Sequence, residues 1–252
     1  MRQFAITDIH GCLNTFQTLL DKIAFSFEDE LYLGGDFVDR GPDSKGVIDY
    51  IIDLKRQGYK VHCLRGNHDQ MMLDAFSNKE QNLLWMSNGG KATLKSFGVK
   101  RVQDIPEYYF DFIRDLNYYL EVGPYILVHA GLDFTKEDPL SNRDAMLWIR
   151  NWYTLTNYDW LGDRTILHGH TPLFREEIEK QHKNLRKQHF LGLDNGCVYN
   201  TSSYRRLGLG ALCAFNLVDQ TLTFVDNMEA GAEETIQGPK SRLAALWSLL
   251  SF

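Results

Sequence analysis

The chain has 252 residues, of which 44% are hydrophobic, 13% aromatic and 24% charged, with a formal net charge of −6 at pH 7. That is enough apolar side chain to bury a full core without disulfide staples. The acidic balance argues against a general nucleic-acid binder, which needs a basic field, and no apolar run reaches the length of a membrane span. Neither a nucleic acid nor a membrane is therefore expected as a partner. Cys12, Cys63, Cys197 and Cys213 show no CxxC or zinc-finger spacing, so they read as buried thiols in a reducing compartment. Met1 leads almost directly into the first strand, leaving no room for a signal peptide. A cytoplasmic protein is the expectation.

In chain order, an apolar strand is repeatedly followed by a polar loop and then a helix. Phe4 to Thr7 reads as a strand, and Leu13, Phe16, Leu19, Leu20 and Ile23 fall on one helical face. Glu30 to Leu33 is a second strand. Pro42, Asp43 and Ser44 resemble a helix start, and Val47, Ile48, Ile51, Ile52 and Leu54 supply the buried face. Lys60 to Leu64 completes a βαβαβ opening, which predicts parallel strands with ligands on the loops at their carboxyl ends. Gln70 to Val122 reads as mostly helical, with a turn at Asn88-Gly89-Gly90. The aromatic cluster from Tyr108 to Tyr119 is expected to be core packing or a cleft wall.

Strand character returns at Tyr125 to Val128, Thr165 to Leu167 and Phe190 to Leu193. Ala211 to Leu217 and Thr221 to Val225 form a predicted hairpin around Val218-Asp219-Gln220. Residues 227 to 240 are loop-like, and Arg242 to Phe252 suits a short apolar helix or docked tail. No repeat or linker interrupts the chain, so residues 1–252 are expected to form one α/β domain.

Five short polar segments close apolar runs: Asp8-Ile9-His10, Gly35-Asp36-Phe37-Val38-Asp39-Arg40-Gly41, Arg65-Gly66-Asn67-His68-Asp69, His129-Ala130-Gly131 and Gly169-His170-Thr171. Each alone could be a helix cap or a turn. Together, Asp8, His10, Asp36, Asn67, His129 and His170 supply the ligands of a two-metal hydrolytic centre. Such a centre needs a carboxylate that bridges both ions, and Asp36 is the natural candidate. If their segment is extended, Asp8 and His10 point to the same side and reach one ion. Mixed imidazole and carboxylate ligands suit two Mn²⁺, Fe or Zn²⁺ ions better than Mg²⁺ or Ca²⁺, and manganese is the expected choice.

These segments resemble the calcineurin-like metallophosphoesterases, and within them the phosphoprotein phosphatase family, which includes bacterial and phage Ser/Thr protein phosphatases. The resemblance runs from residue 4 to about 218. It implies a central β-sandwich of mixed sheets flanked by helices, with the dinuclear site on loops at one sheet edge. The strand pattern alone leaves a sandwich and a single sheet both open. By the same resemblance, His68 is the general acid for the leaving group and Asp39 holds its ring, while Arg40, Arg65 and Arg150 grip the phosphate. His168 is not assigned as a ligand, because in this family the Gly-His-Thr histidine, His170, takes that role. Pro172 stands where a Gly-His-x-His family member has its second histidine, which separates the chain from the nucleases and cyclic-nucleotide phosphodiesterases.

The expected activity is hydrolysis of phosphomonoesters by a metal-bound hydroxide in one step, on a phosphorylated protein or peptide. The alternative is a bis(5'-nucleosyl)-tetraphosphatase, a related group that by resemblance usually lacks counterparts of Asp39 and Arg65. A third possibility, a dead adaptor that keeps only the fold, is disfavoured because no ligand is missing.

Overall fold

The computed structural model describes residues 1–229. The suggested tail helix from Arg242 to Phe252 lies outside the described residues. The chain forms two mixed sheets packed face to face, with helices outside. In the first, strands β1 (Gln3–Ile6), β2 (Glu30–Leu33) and β3 (Lys60–Cys63) are parallel, as the βαβαβ pattern predicts. The hairpin of β8 (Ala211–Asn216) and β9 (Leu222–Asp226) joins antiparallel to β1, giving the order β3-β2-β1-β8-β9. The second sheet has the order β4-β5-β6-β7, from β4 (Tyr119–Val122), β5 (Tyr125–Val128), β6 (Thr165–His168) and β7 (Phe190–Gly192). β4 was hidden at the end of a stretch that reads as helical. It pairs antiparallel with β5, and the two are joined at Gly123, whose φ of 56° suits a tight turn.

Alternation along the strands decides which face meets what. Ala5, Tyr32, Tyr125, Leu127, Leu167, Cys213 and Phe215 fill the space between the sheets. Their neighbours Phe4, Ile6, Leu31 and Leu33 face the other way. There they pack under α1 (Leu13–Lys22) and α2 (Ser44–Arg56), whose Phe16, Leu19, Val47, Ile48 and Ile51 are buried. On the far side of the second sheet, Ile126, Val128 and Ile166 meet Met146, Trp152 and Leu161. This is a sandwich with helices on its outer faces, which resolves the choice left open by strand pattern.

Between β3 and β4 come α3 (Asn67–Ser77), α4 (Lys79–Trp85), α5 (Lys91–Ser96) and α6 (Glu107–Arg114). The predicted turn at Asn88-Gly89-Gly90 breaks the run between α4 and α5, with Gly89 at φ 118°. From the aromatic cluster, Tyr109 and Phe110 are buried, while Tyr108 and Tyr119 are exposed. The helix α7 (Arg143–Trp148) follows β5. Among the described residues, no helix is long and apolar enough to cross a membrane. The four cysteines are buried and unpaired.

Candidate metal centre

The loops after β1, β2, β3, β5 and β6 all leave the carboxyl ends of parallel strands, and the sandwich brings those ends from both sheets to one place. The site thus lies between two sheets rather than at the edge of one. Its backbone is unusual. Asp8, His10, Asp36, Asp39, Arg40 and His170 have φ between 45° and 72°, and account for six of the ten non-glycine residues with positive φ among those described. Each such residue costs about 1–3 kcal/mol, so surrounding bonds must hold it. The expectation that Asp8 and His10 sit on an extended segment is therefore wrong in its reasoning. They converge because Asp8 N donates to Gly35 O, His10 N to Asp36 O and Gly11 N to Phe37 O, which zips the two loops together.

Asp69 performs a similar task one loop further on. Its carboxylate accepts from the backbone N–H groups of Asp36 at 2.9 Å, Phe37 at 3.0 Å and Gly66 at 2.8 Å. It sits in the first turn of α3, where a carboxylate satisfies amides left open by the helix. Asn67 and His68 begin that helix rather than lying in an extended loop, so they diverge by a helical step instead of by alternation. His68 N donates to Asp36 Oδ1 at 2.9 Å, which fixes the bridging candidate against the helix start. Gly66 has no room for a Cβ, which would collide with the Asp36 carboxylate.

Six candidate ligands meet from these loops. His10 Nδ1 pairs with Val38 O at 2.8 Å and His129 Nδ1 with Gly34 O at 2.9 Å. A carbonyl can only accept, so both rings carry the proton on Nδ1 and present the Nε2 lone pair inward. His10 Nε2 lies 3.4 Å from Asp36 Oδ2, and His129 Nε2 lies 3.5 Å from Asp36 Oδ1. His129 Nε2 and His170 Nδ1 both face Asn67 Oδ1, at 2.9 and 2.8 Å. His170 Nε2 is buried with no partner. Asp8 joins through its carboxylate, which accepts from His170 N at 3.0 and 3.1 Å. Ligand atoms of Asp8, Asp36 and His129 lie within 4.8 Å of one another, as do those of His10, Asp36 and His68.

The lone pair of His129 Nε2 and the amide oxygen of Asn67 therefore confront each other, an arrangement that a cation between them makes favourable. The donor set of imidazole, carboxylate and amide oxygen fits a first-row divalent metal. Burial pushes Asp8, Asp36 and Asp39 well above the usual carboxylate range in the metal-free chain, and drives His10 and His170 well below the imidazole range and His129 down to about 3. With the imidazoles neutral, the short contacts of His10 and His129 to Asp36 are ligand convergence rather than salt bridges.

His68 is the ambiguous member, since a ring nitrogen lies within reach of both His10 and Asp36. Its Nδ1 is taken by Asp39 Oδ2 at 2.8 Å. Asp39 is itself locked, accepting from Trp85 Nε1 at 2.9 and 3.0 Å and from Thr93 Oγ1 at 2.7 Å, while its backbone N–H donates to Ser44 and Thr93. A histidine oriented this firmly by a third group has the arrangement of a positioned acid. Trp85, Ser44, Thr93 and Asp69 escaped sequence reasoning. Asp69 carried a local signal, since it stands three residues after Gly66 at a helix start. Trp85 and Thr93 are distant in sequence and carried none, and Ser44, five residues from Asp39, read only as part of a helix start.

The three arginines separate. Arg40 reaches the cluster, with Nη1 3.1 Å from His10 Nε2. Arg150 stands beside it, donating to Thr171 Oγ1 at 3.1 Å. Arg65 turns elsewhere. Its guanidinium donates to Gln70, Tyr118 and the Arg114 carbonyl, and its contacts include none of the six ligands. His168 is engaged by Tyr153 and Gly169 O, outside the ligand set. Asp194, buried after β7, was not anticipated. Burial pushes its carboxyl up to about 6, and the Asp8 carboxylate feels its charge.

A two-sheet sandwich that gathers candidate Asp, His and Asn ligands around one central carboxylate is the arrangement of a metallophosphoesterase. The family model for calcineurin-like phosphoesterases matches residues 1–197, and the chain belongs to that family. A serine/threonine-protein phosphatase 1 from Salmonella typhimurium is 30% identical over 179 residues, covering 68% of this chain and 79% of the relative. A symmetrical bis(5'-nucleosyl)-tetraphosphatase from Pseudomonas putida is 31% identical over 137 residues, covering 52% of this chain; the chain spans only 43% of that relative's length. Among solved structures, a candidate diadenosine tetraphosphatase superimposes with a TM-score of 0.64 at 23% identity, covering 91% of this chain and 95% of that one. A Saccharomyces cerevisiae serine/threonine phosphatase with similarity to human PP5 gives 0.58 at 16%, covering 93% and 82%. At these identities the structures speak to the fold.

Proposed function

We propose that the chain is a phosphomonoesterase of the phosphoprotein phosphatase type, and the observation that carries this reading is the locked Asp39–His68 pair. An alkoxide leaving group from serine or threonine must be protonated as it departs, so an ester hydrolase needs a positioned acid. With Nδ1 held by Asp39, His68 has Nε2 left for that proton. Two divalent ions, manganese being the expected choice, would be held by Asp8, His10 and Asp36 on one side and Asp36, Asn67, His129 and His170 on the other. When bound, they supply Lewis acidity for the phosphoryl oxygens and a nucleophile at neutral pH. Arg40 and Arg150 flank the cluster and offer planar donors to the remaining phosphate oxygens.

A second reading, hydrolysis of a dinucleoside tetraphosphate, draws stronger support from the names of the relatives, most of which are tetraphosphatases. A nucleotide phosphate leaves without protonation, so that activity has less use for the Asp39–His68 pair. Purified protein with Mn²⁺ assayed against a phosphothreonine peptide, an aryl phosphate and diadenosine tetraphosphate distinguishes the two. The monoesterase reading expects the higher kcat/KM on the phosphopeptide. A higher kcat/KM on the tetraphosphate overturns it in favour of the second reading.

A further inference from the structure

We propose that the groove between Arg65 and Arg143 is a docking site for a carboxylate or phosphate carried by an acidic peptide segment, apart from the metal centre. The two guanidinium groups sandwich Tyr118, each with its central carbon 4.9 Å from the ring centroid. With Arg114 they line a groove of about 860 Å³ that no candidate metal ligand borders.

The charges there do not balance internally. Arg114 is paired with Glu107 and Asp111, and Glu121, the acidic side chain on the wall, is paired with Arg164. Arg65 and Arg143 have no carboxylate partner among the described residues. Arg65 is only 8% exposed, and its Nε–H is buried without an acceptor. The buried Arg65 guanidinium feels the Asp69 carboxylate but forms no ion pair with it, and its burial stays costly, so an oxyanion at the groove lowers that cost. Both cations lie over the Tyr118 ring, and the exposed Arg143 offers its planar fork of donors to an oxyanion. The net charge of −6 repels an extended polyanion, so a short peptide bearing one or two acidic groups fits better than a nucleic acid. The choice of a protein segment rests on the phosphoprotein reading above.

The test compares two phosphothreonine peptides that differ by flanking glutamates or glutamines, and measures binding of the unphosphorylated glutamate peptide directly. The wild type is expected to show a KM on the order of tenfold lower for the acidic phosphopeptide, the size of one charge-assisted contact. Arg143→Ala should bring the KM ratio of the two peptides close to one without changing their kcat ratio, and Arg143→Lys should restore part of it. The unphosphorylated peptide should bind the wild type and lose affinity in Arg143→Ala. An unchanged KM ratio in Arg143→Ala overturns the proposal, as does equal competition by a single-stranded oligonucleotide. Binding of the unphosphorylated peptide through Arg143, together with no turnover of either phosphopeptide, supports the docking site while rejecting the phosphoprotein reading.

Discussion

The first sheet delivers Asp8, His10 and Asp36 on loops whose backbones bond to one another, with Asn67 tied in through the Asp69 and Asp36 carboxylates, whereas the second delivers His129 and His170 on loops that share a backbone bond from Gly169 N to His129 O and reach the first sheet at Gly34, Asp8 and Asn67. On the carboxylate side, five non-glycine residues carry positive φ, and Asp69 accepts from three backbone amides there, that of Asp36 among them. On the imidazole side, among the candidate ligands only His170 is so strained, and the contacts that place it come from Asp8 and Asn67 of the first sheet. The carboxylate side is thus largely self-supporting. The imidazole side depends on the sheets staying packed.

Removing the residue common to both sides should have the largest effect. Asp36→Ala is expected to abolish turnover and metal content together, whereas His129→Ala should lose one ion and keep the other. Elemental analysis beside activity checks this, and full metal with normal turnover in Asp36→Ala would break the comparison. Next come changes that leave the ligands alone. His68→Asn should keep both metals and lower kcat by roughly 10²–10⁴-fold on a phosphothreonine peptide, the usual range for losing an acid. The loss should shrink on an activated aryl phosphate, and an equal loss on both would mean that His68 positions rather than protonates.

Metal removal should then show how much each side leans on charge. In the metal-free chain Asp69 and Asp194 titrate near 6, above their unfolded values, so they cost stability as pH rises from near 4 through 6. His129, pushed down to about 3, works the other way and costs stability as pH falls from near 6.5 towards 3. Bound cations offset the buried carboxylates and compete with protons for Asp8 and Asp36, whose carboxyl groups burial holds well above the usual range, while the histidines stay neutral down to much lower pH. The rise in Tm on adding Mn²⁺ is therefore expected to be large at pH 7.5 and to shrink as pH falls through 6, as differential scanning calorimetry would show. A rise independent of pH would place the stabilising ions elsewhere.

The smallest effect concerns Arg65. Arg65→Ala leaves Gln70, Tyr118 and the Arg114 carbonyl without their donor, and should lower stability by about 1–3 kcal/mol in urea unfolding. Its effect on kcat should be well below that of Arg40→Ala. A comparable loss in the two variants would return Arg65 to the phosphate.

Much of this was legible because the ligands are local. Each sits at the end of an apolar run, and the parallel strands read from the βαβαβ pattern put the first four of them at one set of carboxyl ends, while the strand order and the second sheet came only from the structure. The loop conformations were not legible. Alternation assigned Asp8 and His10 to an extended segment, yet both are left-handed, because bonds to the Asp36 loop outweigh local preference. Arg65 was assigned to the phosphate by resemblance, whereas in the structure Tyr118 and the Arg114 carbonyl, some fifty residues away, hold its guanidinium. Trp85 and Thr93 reach Asp39 across a similar separation, and no spacing in the sequence announces them.

The measurement that bears most directly on the centre is anomalous scattering from Mn²⁺-loaded crystals. Two peaks are expected, one among Asp8, His10 and Asp36 and one among Asp36, Asn67, His129 and His170, with His68 still bonded to Asp39 and touching neither. A single peak, or one coordinated by His68, would contradict the shared bridge and the role of His68 together.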